Sequence, residues 1–163
     1  MTLHQMPDTR VLNTADAFRA TAQILNECSD SMGVPTVVNA AFALELYLKS
    51  LNIEWKFSNT KEIAQSGKKP YISRSPMQKG HLPSKLFEAL KQPVRESLEE
   101  RYKLSPYNGC DQSLKNAIED FDGLFERWRY IFEGQCSYVN ITSLFDMLAF
   151  LSESIHALPQ KWA

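Results

Sequence analysis

Few side chains in this 163-residue sequence stand where chemistry could be done. Glu45 lies in the run Asn39-Ala40-Ala41-Phe42-Ala43-Leu44-Glu45-Leu46-Tyr47-Leu48-Lys49-Ser50-Leu51, the most apolar and helix-prone stretch of the chain. Arg127-Trp128-Arg129-Tyr130 with Glu133 sets two guanidiniums beside an acid. His81 follows Gly80 at the start of a third helical region, and Lys68, Lys69 and Arg74 belong to a basic stretch. A guanidinium presents a planar fork to carboxylates, or to a phosphate that replaces them. A charge beside an apolar seam is costly unless it is paired. Glu45 and Arg129 each border such a seam on a different helix. The expectation is that Arg129 is held by Glu45, Glu133 or both. Two roles stay open for it: an internal ion pair that fixes helix register, or an open site for an anion or RNA phosphate. Lys49 follows Glu45 at i+4, the favourable order for a pair.

Other chemistries find no support. The only histidines besides His81 are His4 and His156, and none has a partner at ligand spacing, so no metal site and no cofactor is expected. His81 is expected to cap or pack at its helix start. The serines lack a nucleophile-elbow context, no glycine-rich phosphate loop exists, and no carboxylates are paired for acid–base work. A conventional hydrolase or kinase is not supported by these residues.

The elements that must position these residues are helices. Residues 1–13 are polar and aperiodic and are expected to form a flexible arm, leaving 14–163 as one domain. Thr14 is the expected N-cap of the first helix, whose face is Ala15, Phe18, Ala22 and Leu25. The second helix is expected from about 35 to 55, with Val37, Ala41, Leu44, Leu48, Leu51 and Trp55 on one stripe. Residues 56–80 then carry Lys56, Lys61, Lys68, Lys69, Arg74 and Lys79 against the single acid Glu62, a net of +5. With Gly67, Pro70, Pro76 and Gly80 among them, they are expected to form a long basic loop. It is either a solvated connection or a lip contacting RNA, nucleotide or an acidic partner. Leu82, Leu86, Leu90, Val94 and Leu98 mark a third region, broken near Pro93. Leu114, Ile118, Phe121, Phe125, Trp128 and Phe132 predict a fourth helix over 111–133. Ile141, Leu144, Leu148, Leu151, Ile155 and Leu158 predict a fifth over 141–158. The fold class is therefore all-α, an antiparallel four- to five-helix bundle.

Composition agrees with a globular core: 44% of residues are hydrophobic, and 18 basic residues stand against 19 acidic ones. The net charge of −1 argues against a generally basic nucleic-acid binder but leaves room for a local patch. No signal-like opening or membrane-length apolar run is present, and Cys28, Cys110 and Cys136 suit neither a disulfide framework nor a Cys-x-x-Cys site. A cytoplasmic protein with reduced thiols and no membrane association is expected.

Taken in order, these motifs resemble the HEPN-like domains. Ala43 through Leu51 resembles their second-helix signature. Gly80-His81-Leu82 with Lys85-Leu86-Phe87-Glu88-Ala89-Leu90, and Val94 through Tyr102, resembles the segment that follows. Arg127-Trp128-Arg129-Tyr130 with Glu133 resembles their late Arg-Tyr helix. The similarity spans residues 35–158. It implies an all-α bundle, often a homodimer, in prokaryotic defence, toxin–antitoxin or RNA-processing settings. Many members are metal-independent ribonucleases, with an Arg on the phosphate and a His four to six residues later assisting 2′-hydroxyl attack. Here Phe132, Glu133, Gly134, Gln135 and Cys136 follow, with no His. The resemblance then implies a non-catalytic member binding RNA, a nucleotide or a protein partner such as an antitoxin. Glu45, Lys49, Arg127, Arg129, Tyr130, Glu133, Lys68, Lys69 and Arg74 are the expected binding residues. The alternatives are a ribonuclease of altered mechanism using Arg127, Arg129, Glu133 and His81, and a dimeric structural or regulatory subunit.

Overall fold

The computed structural model describes residues 7–28, 33–57, 72–76, 79–134 and 138–158. The first helix, α1 (Thr9–Cys28), starts earlier than its apolar face suggests. Asp8 is the cap: its Oδ1 accepts from the Arg10 amide at 3.0 Å, and its carbonyl accepts from Leu12 at 2.9 Å. The Asp8 amide donates to the Ser50 carbonyl at 2.8 Å, which ties the start of α1 to the end of the next helix. Residues 8–13 therefore belong to the packed domain and not to a flexible arm. Thr14, the expected cap, lies inside the helix, and its hydroxyl donates back to the Arg10 carbonyl at 2.8 Å.

Helix α2 (Gly33–Leu51) is the central element. Its stripe Val37, Ala41, Leu44, Leu48 and Leu51 is buried, and so are Ala40, Ala43 and Tyr47 beside it. The burial is wide because several helices surround it: α1, and α3, α6 and α7 defined below, all pack against α2.

The expected helix to residue 55 ends at Leu51. The Asn52 amide closes the last turn on Leu48 and Lys49, and the Asn52 side-chain amide donates to the Leu86 carbonyl at 2.7 Å. Strand β1 (Ile53–Phe57) follows and pairs antiparallel with β2 (Ile72–Pro76), from Ile53 opposite Pro76 to Phe57 opposite Ile72. The missed signal is Ile53-Glu54-Trp55-Lys56-Phe57, a period-two alternation of strand formers. Trp55 thus sits on a strand with Arg74 as its ladder partner, not on the helical stripe. The expected long basic loop is at least partly a hairpin; Lys61, Lys68 and Lys69 lie outside the described residues.

Helix α3 (Pro83–Glu88) and α4 (Gln92–Lys103) each carry Pro in the first turn, so the break before Pro93 forms as expected. Helix α5 (Leu114–Glu119) is capped by the Ser113 hydroxyl, and the Glu99 carboxylate accepts from the Leu114 and Lys115 amides at 2.7 and 3.0 Å. The helix expected over 111–133 is not continuous. A turn at 120–123 separates α5 from α6 (Leu124–Arg129), and a 3-10 turn (Ile131–Glu133) follows. Two residues explain the break. Asp122 accepts from the Ser84 amide at 2.9 Å and from the Ser84 hydroxyl, which pins the turn to α3. Gly123 takes φ +68°, a left-handed conformation that no continuing helix contains. Phe125 and Trp128 still reach the core after the break, but α6 ends at Arg129, and Phe132 in the following 3-10 turn is 78% exposed where a continuous stripe would have buried it.

A Cβ at Gly123 would meet no atom within 4 Å, so a substitution there tests backbone strain alone. Gly123→Ala is expected to destabilise by about 1–2 kcal/mol. In denaturant unfolding the midpoint should fall with an unchanged slope. Gly33→Ala, equally uncrowded but without a positive φ, should show no such loss.

Helix α7 (Ile141–His156) is capped by Asn140, whose Oδ1 accepts from the Ser143 amide at 3.1 Å. It packs on α2 and α4 and buries Leu144, Leu148, Leu151 and Ile155, as its periodicity requires. The chain is thus mainly helical, and among the described residues no helix is long and apolar enough to cross a membrane.

Candidate functional site

Glu45 is where the structure departs most usefully from expectation. Its side chain is 2% exposed, yet it does not meet Arg129. Lys49, one turn on, donates to Glu45 Oε1 at 2.6 Å. His81 Nδ1 donates to the same oxygen at 2.9 Å from the turn that leads into α3. The Lys49 pairing follows from helical spacing. The His81 contact spans 36 positions of sequence and depends on α3 docking against α2. His81 therefore neither caps its helix nor packs into the core. It is held by one ring nitrogen while the side chain stays 66% exposed, so the Nε2 edge faces outward. Glu45 Oε2 is buried with no hydrogen-bond partner among the described residues.

The acid lines a cavity of about 290 Å³ between α2, the start of α3 and the α5–α6 turn. Ala41, Leu82, Pro83, Phe121, Leu124 and Phe125 make its apolar walls, and His81 and Glu126 add polar groups.

The expected pairing of Arg129 with Glu45 or Glu133 is not made among the described residues. Because α6 restarts after Gly123, Arg129 turns outward. Its guanidinium carbon lies 6.0 Å from the centre of the Phe125 ring and 5.3 Å from that of Tyr130, so it is carried on aromatic faces. Phe125 in turn packs against Phe42 at 5.4 Å, and Phe42 against Phe18 at 4.6 Å. The same array continues outward, with Phe132 at 6.4 Å from Tyr130. Arg127, Arg129, Tyr130, Phe132 and Glu133 are all exposed. The end of α6 thus presents cationic and aromatic groups together, next to the wall of the Glu45 cavity formed by Phe125.

A second polar cluster was not anticipated from sequence. Asp16 on α1 accepts from the Tyr47 hydroxyl at 2.6 Å, from the Ser152 hydroxyl at 3.2 Å and from His156 Nε2 at 2.8 Å. These residues lie on three different helices, and only their helical faces could have pointed to one another. Burial pushes the Asp16 carboxyl up, but the hydrogen bonds from Tyr47, His156 and Ser152, with the charge of a protonated His156, outweigh it and hold the group below its ordinary value. This cluster is closed, with every partner supplied from within, whereas the Glu45 cluster leaves one buried oxygen unpaired among the described residues. Among the described residues, no group of three potential ligands could hold a metal ion.

Compared with protein-family models, curated proteins and solved structures, the chain matches none of them.

Proposed function

We propose that this chain is a HEPN-like antiparallel helical bundle, acting as a homodimer in a cytoplasmic defence or toxin–antitoxin setting, that binds single-stranded RNA without cleaving it. The observation that carries the reading is the exposed array Arg129–Tyr130–Phe132 with Arg127 beside it. Successive bases stack on aromatic faces, and cations track the phosphates between them. Lys79 is exposed near His81, and the basic segment that includes Lys68, Lys69 and Arg74 adds positive charge to the same connection between α2 and α3. Fluorescence anisotropy with labelled oligonucleotides tests this reading. Binding should weaken steeply as salt rises, because phosphate contacts release counterions. Phe132→Ala should weaken it by about 1–3 kcal/mol, roughly 5- to 150-fold. Salt-insensitive association, or retention of a protein partner alone, would instead favour a structural or antitoxin-binding subunit.

A second reading rests on the Glu45–His81 contact. A carboxylate that fixes one imidazole nitrogen leaves the other poised for proton transfer, as a general base requires. Incubating the protein with labelled RNA in chelator separates the two readings. Cleavage that His81→Ala abolishes would make the chain a ribonuclease of altered mechanism, with Arg127, Arg129 and Glu133 near the scissile phosphate. Intact RNA supports the binding reading.

A further inference from the structure

We infer that the Glu45 cavity is a base-binding pocket that takes the exocyclic amine of an adenine or cytosine. The inference rests on the RNA-binding reading and extends it from backbone contact to base selection. Glu45 Oε2 is a buried acceptor without a donor among the described residues, and a carboxylate in that state calls for a ligand N–H. Oε1 is already taken by the Lys49 ammonium at 2.6 Å and by His81 at 2.9 Å. The carboxylate's charge is therefore compensated, and a second cation would face Lys49 across one group. A neutral donor fits better. The walls are apolar and partly aromatic, supplied by Phe121, Phe125, Leu82, Pro83 and Leu124, and suit a flat ring. The volume of 290 Å³ lies just below the ~300 Å³ at which small-ligand pockets begin, so it holds one ring system rather than a whole nucleotide. Adenine and cytosine present an amino group at the edge opposite the sugar. Uracil presents the O4 carbonyl in the amine's place, and its single N3–H is flanked by two carbonyl oxygens that a carboxylate repels. With the ring seated, the outward edge of His81 lies at the mouth, where a ribose or phosphate would emerge.

Titrating adenosine and uridine into the protein, followed by NMR, tests the assignment. Adenosine should shift the resonances of Ala41, His81 and Leu124, with uridine at least tenfold weaker. Ala41→Leu, which fills the cavity, should abolish adenosine binding, and Glu45→Gln should erase the preference over uridine. Phe132→Ala should leave adenosine binding unchanged while weakening oligonucleotide binding. Equal affinity for the two nucleosides, or adenosine binding untouched by both cavity variants, overturns the inference. Oligonucleotide binding without any nucleoside binding also overturns it and leaves the RNA reading standing. Adenosine binding that follows the cavity variants, in a protein that holds no oligonucleotide, supports the pocket and removes the RNA reading.

Discussion

Leu44→Ala is expected to cost about 3 kcal/mol, within the 2–5 kcal/mol range of buried leucine truncations. Leu44 is 0% exposed and sits midway along α2, the helix against which α1, α3, α6 and α7 all pack. The cavity left behind would be walled by several elements at once, and none can collapse into it without losing its own contacts. For a domain of this size such a loss lowers the melting temperature by roughly 6–12 °C. Ile24→Ala is the matched control. Ile24 is 59% exposed on α1, and its truncation should change stability by no more than about 0.5 kcal/mol. Calorimetry or denaturant unfolding reads both. Near-equal losses would mean that α2 is not the packing centre. The same experiment bears on function, because Leu44 precedes Glu45 and the rigidity of α2 holds that carboxylate against His81.

The parts of this architecture that rest on local periodicity were legible in the sequence. The apolar faces of α2 and α7 are buried as their spacing requires, and Pro93 opens a new helix as its missing N–H demands. What escaped the reading depends on single residues that override a pattern. Asp8 moves the start of α1 by capping it from outside the apolar run. Gly123 and Asp122 interrupt a stripe that is faultless on paper, although Phe125 and Trp128 beyond them still pack against the core. Arg129 and Phe132, read as a core-bordering cation and a core ring, both become surface groups, Phe132 beyond the second break where α6 gives way to the 3-10 turn. The partner of Glu45 was half legible. Lys49 is a matter of spacing along one helix, whereas His81 arrives by tertiary docking that no spacing encodes. The polar groups Glu45, Lys49 and His81 were singled out in the sequence, whereas the apolar walls around them were not. The acid keeps company with a histidine, and the arginine is released to solvent.

Stability should fall at both ends of the pH scale, with one hydrogen-bonded cluster contributing to each limb, and Tyr47→Phe should flatten the alkaline limb in part, because Tyr102 and Tyr107 also hold their protons above the ordinary value. Tyr47 is 0% exposed, and its hydroxyl donates to Asp16 at 2.6 Å. Burial, followed by that hydrogen bond, pushes its pKa from 10.0 up to about 12. The folded protein thus holds the phenol proton after an unfolded chain has lost it. The stabilisation is complete below pH 10 and declines as pH rises towards 12, by on the order of 2–3 kcal/mol for a gap of that size. Asp16 has the opposite sign. Its pKa is lowered from 3.8, so its contribution is present above that value and is lost as pH falls through the folded-state pKa. Glu88, held down to about 2 by hydrogen bonds from Lys115 and Lys85, adds to the same acid limb. Tyr47→Phe has no proton to lose, so its stability between pH 10 and 12 should be flatter than that of the wild type. At neutral pH it should be weaker by about 1.5–3 kcal/mol, the worth of a hydrogen bond to a charged acceptor. Asp16→Asn should flatten the acid limb only in part, because Glu88 still titrates there. Denaturant midpoints measured from pH 3 to 12 on the three proteins read these slopes directly. An alkaline limb in Tyr47→Phe as steep as that of the wild type would place its origin in another group. That result would remove Tyr47 as the link between α2 and the Asp16–His156 contact that joins α1 to α7.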